Sequence, residues 1–160
     1  MKHLSTGICG SLLLITAASC SNNEWRVKGT LEGADGQEIL VQASDNGRWY
    51  TLDTITTGKD GKFDYAHAAM GRPDVYRLYL NVQSIYFPVD SIETITVTAS
   101  DSAFDSSYEI NGTPSAEAMM LADKKIREAV AAKGAQAALN DSVLKRELAQ
   151  TILADPAGIV

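Results

Sequence analysis

Short segments rich in Val, Ile, Thr, Tyr and Trp recur between Trp25 and Thr113, and Gly, Asp and Asn residues separate them. Strands that follow one another with a turn signal roughly every 8–12 residues are typical of an all-β sandwich or barrel. The pattern contains seven or eight such strands. The sequence therefore predicts a mainly β fold over residues 25–113, an antiparallel β-sandwich or a barrel-like arrangement.

Local signals define individual strands and turns within this region. Asn46 and Gly47 form a strong hairpin signal, because both residue types accept a positive φ. Residues 75–82, V-Y-R-L-Y-L-N-V, form the clearest strand, since apolar and other residues alternate along them. Gly29 predicts a bend or bulge in the first strand, and Pro88 predicts that its segment lies at a sheet edge or ends there.

The apolar period changes from 2 to 3.6 at Thr113-Pro114-Ser115, where a capping residue precedes a proline suited to the first helical turn. We expect a helix from there to about Lys133, with Gly134 as the stop signal.

Two helices are predicted in residues 114–160, a helical hairpin or linker. The first should present a modest apolar face formed by Met119, Ala122, Ile126 and Ala129 or Val130. Its polar face should be turned to water and carry Asp123, Lys124, Arg127 and Glu128. The second should start at Asn140 or Asp141, repeat Leu144, Leu148 and Ile152 at intervals of four, and end before Asp155-Pro156. The final A-G-I-V reads as the start of another element, so we expect a truncated chain; a natural terminus packed on the β domain is the alternative.

Residues 1–19 have the features of a lipoprotein export signal. Lys2 and His3 form a short basic region, residues 8–18 form an apolar stretch of about eleven residues, and small residues lead into Cys20. A membrane-spanning helix would need about 20 apolar residues, so this stretch is too short to be a retained transmembrane helix.

Cys20 is the predicted lipid attachment site, because a thiol forms a stable thioether with a diacylglyceryl group. Residues 20–24 would then be a lipidated leash, and the membrane would be a partner through this anchor. Since Glu24 is the only acidic residue directly after Cys20, we expect attachment in the cell envelope, at the outer membrane facing the periplasm. The alternative is ordinary secretory cleavage that leaves Cys20 as a free thiol, because Ala17 stands where lipoprotein signals usually carry Leu.

The charge and the cysteine content of the chain argue against several classes of function. Loss of Lys2 with the signal changes the formal net charge from −6 to −7, and no Lys/Arg cluster interrupts the acidic pattern, which disfavours nucleic acid. Cys9 lies in the signal and Cys20 would carry the lipid, so the mature chain offers no disulfide, C-x-x-C site or thiolate metal site. We predict no catalytic, metal or cofactor residues.

Three stretches carry a family resemblance: W-R-V-K-G-T-L-E-G-A-D-G-Q-E-I-L-V, L-D-T-I-T-T-G-K-D-G-K-F-D-Y and R-P-D-V-Y-R-L-Y-L. Their order over residues 29–113 resembles the N-terminal β domain called domain of unknown function 4369, typical of Bacteroidetes lipoproteins. Members of that family often continue through a helical linker into a thioredoxin-like domain with C-x-x-C. The resemblance implies an accessory module of a thiol-disulfide oxidoreductase-type lipoprotein whose catalytic domain is absent from this chain.

Two other functions are compatible with the residues. A stand-alone module could bind a glycan, a peptide or a protein of the envelope through aromatic residues, although such residues in strands more often pack the core. These residues are Trp49, Tyr50, Tyr76, Tyr79, Tyr86 and Phe87.

An enzyme would need carboxylates such as Asp90 and Glu93 to meet His67 in one cleft. Asp35, Asp45 and Asp60 lie beside glycines, but their spacing fits turns better than a calcium loop.

Overall fold

The computed structural model describes residues 23–154, so the predicted signal, Cys20 and the final A-G-I-V lie outside the described residues. Eight strands are followed by three helices: β1 (Glu24–Glu32), β2 (Glu38–Asp45), β3 (Arg48–Thr56), β4 (Lys62–Ala68), β5 (Asp74–Leu80), β6 (Gln83–Val89), β7 (Thr94–Ser100), β8 (Glu109–Asn111), α1 (Pro114–Lys133), α2 (Ala135–Asn140) and α3 (Ser142–Leu153). The prediction of a mainly β fold followed by helices is confirmed.

The strands form two four-stranded sheets, in the orders β4-β1-β7-β8 and β3-β2-β5-β6. Both sheets contribute to one core, because alternate residues of each strand point inward. Trp25 of β1 is fully buried and contacts Tyr76 and Phe87 of the opposite sheet, with ring centroids 4.5 and 5.8 Å away. The architecture is therefore a sandwich whose two layers share an aromatic centre.

β1 and β7 run parallel, whereas the other five described strand pairs are antiparallel. β1 lies between β4 and β7, and the chain passes through the second sheet before β7 returns beside β1. The strand period alone carries no information on this pairing, because it specifies the face of a residue and not its neighbour.

Two turns test the local predictions. Asn46 and Gly47, with φ of 48° and 75°, join β2 to β3 as the predicted two-residue hairpin turn. The strand predicted over residues 75–82 was too long, since Asn81 and Val82 have φ of 47° and 66° and form the turn into β6. A positive φ is rare for a β-branched residue such as Val82, so the sequence did not indicate a turn at this position.

Pro88 lies within β6, which is an edge strand of its sheet, as predicted. Gly29 lies inside β1 where another backbone comes very close. A Cβ atom at Gly29 would lie 1.7 Å from the carbonyl oxygen of Val97 on β7. The glycine therefore allows β7 to pair closely with the central strand.

The helix boundaries follow the predicted signals. The side chain of Thr113 accepts a hydrogen bond from the backbone N–H of Ala116 (3.2 Å), and α1 ends at Gly134. Asp141 caps α3 by accepting from the N–H groups of Val143 and Leu144 at 2.8 and 3.1 Å. The short helix α2, between the two predicted helices, was missed.

The predicted water-facing side of α1 was wrong for Asp123, Lys124 and Arg127, whereas Glu128 is exposed as predicted. The hydroxyl of Tyr108 donates to Asp123 (2.7 Å), and Arg127 donates to both Asp123 and Asp105 at 2.7 and 3.0 Å. Burial and the carboxylate of Asp123 raise the pKa of Tyr108 well above its ordinary value. The sandwich offers polar partners at this point, so the polar side of α1 contacts the sandwich, while Ile126 of the predicted apolar face is 43% exposed.

Among residues 23–154, no helix combines the length and apolar character needed to cross a membrane.

Replacement of Gly29 by Ala should lower the free energy of unfolding by about 3 kcal/mol, because the new methyl group overlaps the Val97 carbonyl. Gly58→Ala is the matched control, since Gly58 has φ −77° and its Cβ would meet only the Lys62 carbonyl oxygen at 3.6 Å. Denaturant titration should leave that control within about 0.5 kcal/mol of the parent. Equal effects of the two substitutions would contradict the close approach of β7.

Candidate functional site: an arginine held among aromatic rings

The outer face of the β3-β2-β5-β6 sheet carries a row of polar and aromatic side chains. Gln42 of β2 lies opposite Thr51 of β3 on one side and Arg77 of β5 on the other, and Arg77 lies opposite Tyr86 of β6. Neighbouring strands therefore bring together four residues that are up to 44 positions apart in the chain. Because Tyr76 and Leu78 face the core, Arg77 between them faces outward.

Aromatic rings flank the Arg77 guanidinium. Its central carbon lies 4.5 Å from the centre of the Trp49 ring and 4.9 Å from that of Tyr79. Both distances are within the range at which a cation is attracted to the face of a ring.

Hydrogen bonds fix the orientation of the guanidinium between these rings. Nε of Arg77 donates to Oε1 of Gln42 at 2.7 Å, and Nη1 lies 3.5 Å from the hydroxyl oxygen of Ser84. Gln42 is itself held, because its amide nitrogen donates to the hydroxyl of Thr51 at 3.0 Å and its side chain is 8% exposed. The arginine is thus positioned from two sides by groups on three other strands.

Trp49 extends this cluster across the sheet. Trp49 of β3 lies opposite Ser44 of β2, and its indole ring contacts that of Tyr86 on β6. The centroids of the two rings are 5.6 Å apart, with an interplanar angle of 52°. We call Gln42, Trp49, Arg77, Tyr79 and Tyr86 the arginine–aromatic surface.

The charge of Arg77 has no acidic partner in the part of the chain that the structure describes. Arg26, Arg72 and Arg127 each have a carboxylate oxygen within 4.0 Å, at Asp64, Asp74 and Asp123 respectively. Arg77 has none, and its Nη2 makes no hydrogen bond within residues 23–154. It is half-buried, so its cationic group is partly removed from water and is stabilised by rings and neutral oxygens alone.

This arrangement offers groups that suit ligand binding. It presents ring faces for stacking, a fixed guanidinium with free donor capacity, and amide and hydroxyl groups. A guanidinium suits a carboxylate or phosphate, since its parallel N–H groups match two oxygens.

The structure separates the six aromatic residues singled out in the sequence. Tyr76 and Phe87 are core residues, 2% and 0% exposed. Trp49, Tyr79 and Tyr86 lie together on the outer face, and Tyr50 is 42% exposed. Both readings of the aromatic pattern, core packing and a surface cluster, therefore apply to different members of the set.

His67 and the two carboxylates do not form one site in the described residues. His67 lies on β4, where the Tyr65 hydroxyl is 3.1 Å from its Nδ1 and the Trp25 ring centre is 5.9 Å away. Glu93 accepts a hydrogen bond from the backbone N–H of Asp90 (2.9 Å) in the turn before β7. Burial raises the pKa of Glu93, but no hydrogen bond or ion pair connects it to His67.

The three aspartates beside glycines lie at turns. Asp35 accepts a hydrogen bond from the N–H of Gly61 at 3.2 Å and so connects two turns, while Asp45 accepts from Asn46 at 3.0 Å. Asp60 has a φ of 63°. Residues 23–154 contain no group of three or more His, Cys, Asp or Glu side chains placed to hold a metal ion.

Sequence reasoning missed Arg77 and Gln42. The sequence did indicate that both side chains point away from the core, because both residues occupy outward positions in alternating segments. The missing information was that β2 and β5 are neighbours, which places the two side chains in contact.

The fold and this surface define a class: a small β-sandwich domain with a helical appendage and a side-chain cluster on one sheet face. The family model for Domain of unknown function (DUF4369) matches residues 25–119, and the chain belongs to this family. No curated protein matches the chain.

Substitution of Arg77 by Met should lower the free energy of unfolding by about 1–2 kcal/mol, because it removes two cation–π contacts and leaves the Gln42 carbonyl without its donor. Arg48→Met is the matched control, because Arg48 is exposed and adjacent to Trp49. Chemical denaturation should place that control within about 0.5 kcal/mol of the parent. If both variants had the same free energy of unfolding as the parent, the contacts of Arg77 would make no net contribution to stability.

Proposed function

We propose that this chain is a non-catalytic domain of the cell envelope, anchored through a lipid on Cys20 at the outer membrane and facing the periplasm. The observation that supports it is the apolar stretch of residues 8–18, followed by Ser19 and Cys20. The first strand, β1, begins only a few residues later, at Glu24. The backbone is already fixed at Asn23, whose carbonyl accepts from the N–H of Ala69 at 2.8 Å. Three residues of extended chain span at most about 11 Å.

Such a short leash would hold the sandwich directly beside the bilayer. Two or more acyl chains give durable attachment, since each buried methylene contributes about 0.8 kcal/mol. The acidic character of the mature chain opposes contact with anionic headgroups, so the domain would be tethered and not embedded.

The helical segment supports an accessory role next to a further domain. Ile126, Leu139 and Val143 are 43%, 66% and 56% exposed. Between α1, α2 and α3 lies an apolar groove of about 280 Å³, lined by side chains that include Val130, Leu144 and Leu148. Exposed apolar patches of this kind often mark interaction sites. We propose that the companion is the thioredoxin-like domain that the family resemblance implies, and that all thiol chemistry belongs to it.

A second candidate function is a binding module of the envelope. The arginine–aromatic surface favours it, because a half-buried cation without an acidic partner lies between ring faces on an open side of the sandwich. This candidate is compatible with the anchor, since the surface could bind its ligand while the leash holds the domain at the membrane.

Substitution of Cys20 by Ser should abolish incorporation of radiolabelled palmitate and move the protein from the membrane to the soluble fraction, because a hydroxyl is a poor acceptor for the lipid. Cys9→Ser is the matched control, since Cys9 lies within the predicted signal and should leave labelling unchanged. Persistent membrane association of the Cys20 variant would refute lipid anchoring at this residue.

The gene sequence downstream of codon 160 tests the accessory role. We expect an open reading frame that continues into a domain with a C-x-x-C motif, because the family resemblance associates the helical linker with such a domain. A stop codon directly after Val160 would contradict the accessory role and leave the binding module as the function to test.

A further inference from the structure

We propose that the arginine–aromatic surface binds an acidic saccharide, with a uronate carboxylate on Arg77 and a sugar ring stacked on Trp49 or Tyr86. The inference rests on the second candidate function and adds the chemical class of the ligand. It follows from the charge of this surface, from its ring geometry and from its position on the face of a sheet.

The charge of the ligand follows from the missing counter-ion. The chain is acidic overall, with a formal net charge of −6, and three of its other arginines have carboxylate partners in the described residues. Arg77 is held by the amide of Gln42, a neutral group, so its positive charge stays available to a ligand. A carboxylate on the ligand would complement this local charge.

The rings indicate that the ligand has a flat apolar face. Trp49 and Tyr86 are both half-buried and lie 5.6 Å apart, and Tyr79 lies on the other side of the guanidinium. One face of a pyranose ring consists largely of C–H groups, which pack on aromatic rings, while its hydroxyls need polar partners. Thr51 and the two tyrosines also carry hydroxyl groups, which can both donate and accept.

The position of the surface on the face of a sheet favours a saccharide over a peptide. All members of the surface project from one face of a four-stranded sheet, and none depends on the unpaired backbone of the edge strand. Extended peptides gain much of their affinity by adding a strand to such an edge, and helical peptides use a groove. Stacked sugar rings need neither feature.

The two tryptophans allow a direct binding test by NMR, with the indole N–H of Trp49 as the site signal and that of fully buried Trp25 as the reference. The probes are trigalacturonate, its methyl-esterified uncharged form and a hexaglutamate peptide, each titrated into the folded chain. We expect trigalacturonate to shift the Trp49 signal saturably and to leave the Trp25 signal in place. The esterified form should bind about tenfold more weakly or worse, because it lacks the carboxylate partner of Arg77.

Variants make the same test specific for the arginine. Arg77→Gln should reduce the affinity for trigalacturonate by about tenfold or more, whereas Arg48→Gln should retain the larger part of it. An unchanged Trp25 signal in each variant shows that the sandwich is folded. Equal binding by Arg77→Gln and the parent would overturn the assignment of the carboxylate to Arg77.

The probes also separate failure of the inference from failure of the binding module. If hexaglutamate or the uncharged ester shifts the Trp49 signal as strongly as trigalacturonate does, the surface binds ligands but the acidic saccharide is wrong. If none of the three probes shifts that signal at millimolar concentration, both the inference and the second candidate function are contradicted. The lipid anchor is tested independently at Cys20.

Discussion

The sandwich depends on β1, the strand that lies between β4 and β7 and carries Trp25 into the core. The ring of Trp25 contacts aromatic residues of both sheets, so this one side chain joins the two layers. The close pairing of β7 is possible because Gly29 leaves room for the Val97 carbonyl. Aromatic packing at the centre joins the two sheets, and a glycine at a point of close backbone approach allows β1 and β7 to be neighbours.

The arginine–aromatic surface is a consequence of that order. Inward positions of β2, β5 and β6 are occupied by core residues, so their outward positions are free to carry other chemistry. Gln42 and Arg77 meet because β2 and β5 are adjacent, and the ring of Trp49 contacts that of Tyr86 across the same sheet face. The same sheet supplies the stability of the domain from one face and a preorganised cation from the other. Preorganisation matters for binding because less conformational entropy is lost when a ligand arrives.

Much of the fold could be predicted from the sequence because its signals are local. The Asn46-Gly47 turn, the cap at Thr113 and the stop at Gly134 depend on a few neighbouring residues, and the structure contains all three. The parallel pairing of β1 with β7 could not be predicted, since it depends on the path of the whole chain. The prediction for the polar side of α1 was wrong for the same reason, because its partners, Tyr108 and Asp105, come from elsewhere in the fold. For the candidate site, the sequence identified the aromatic residues but did not indicate that Arg77 lies among them.

The Arg77 guanidinium is fixed among the rings before any ligand binds. The most direct measurement is the ¹H–¹⁵N NMR signal of the Arg77 Nε–H group in the free protein, compared with that of Arg48. A fixed guanidinium should give a proton that is shifted upfield by ring currents, exchanges slowly with water and shows a nuclear Overhauser effect to the Trp49 ring. A signal with the chemical shift and rapid exchange of the exposed Arg48 group would contradict it.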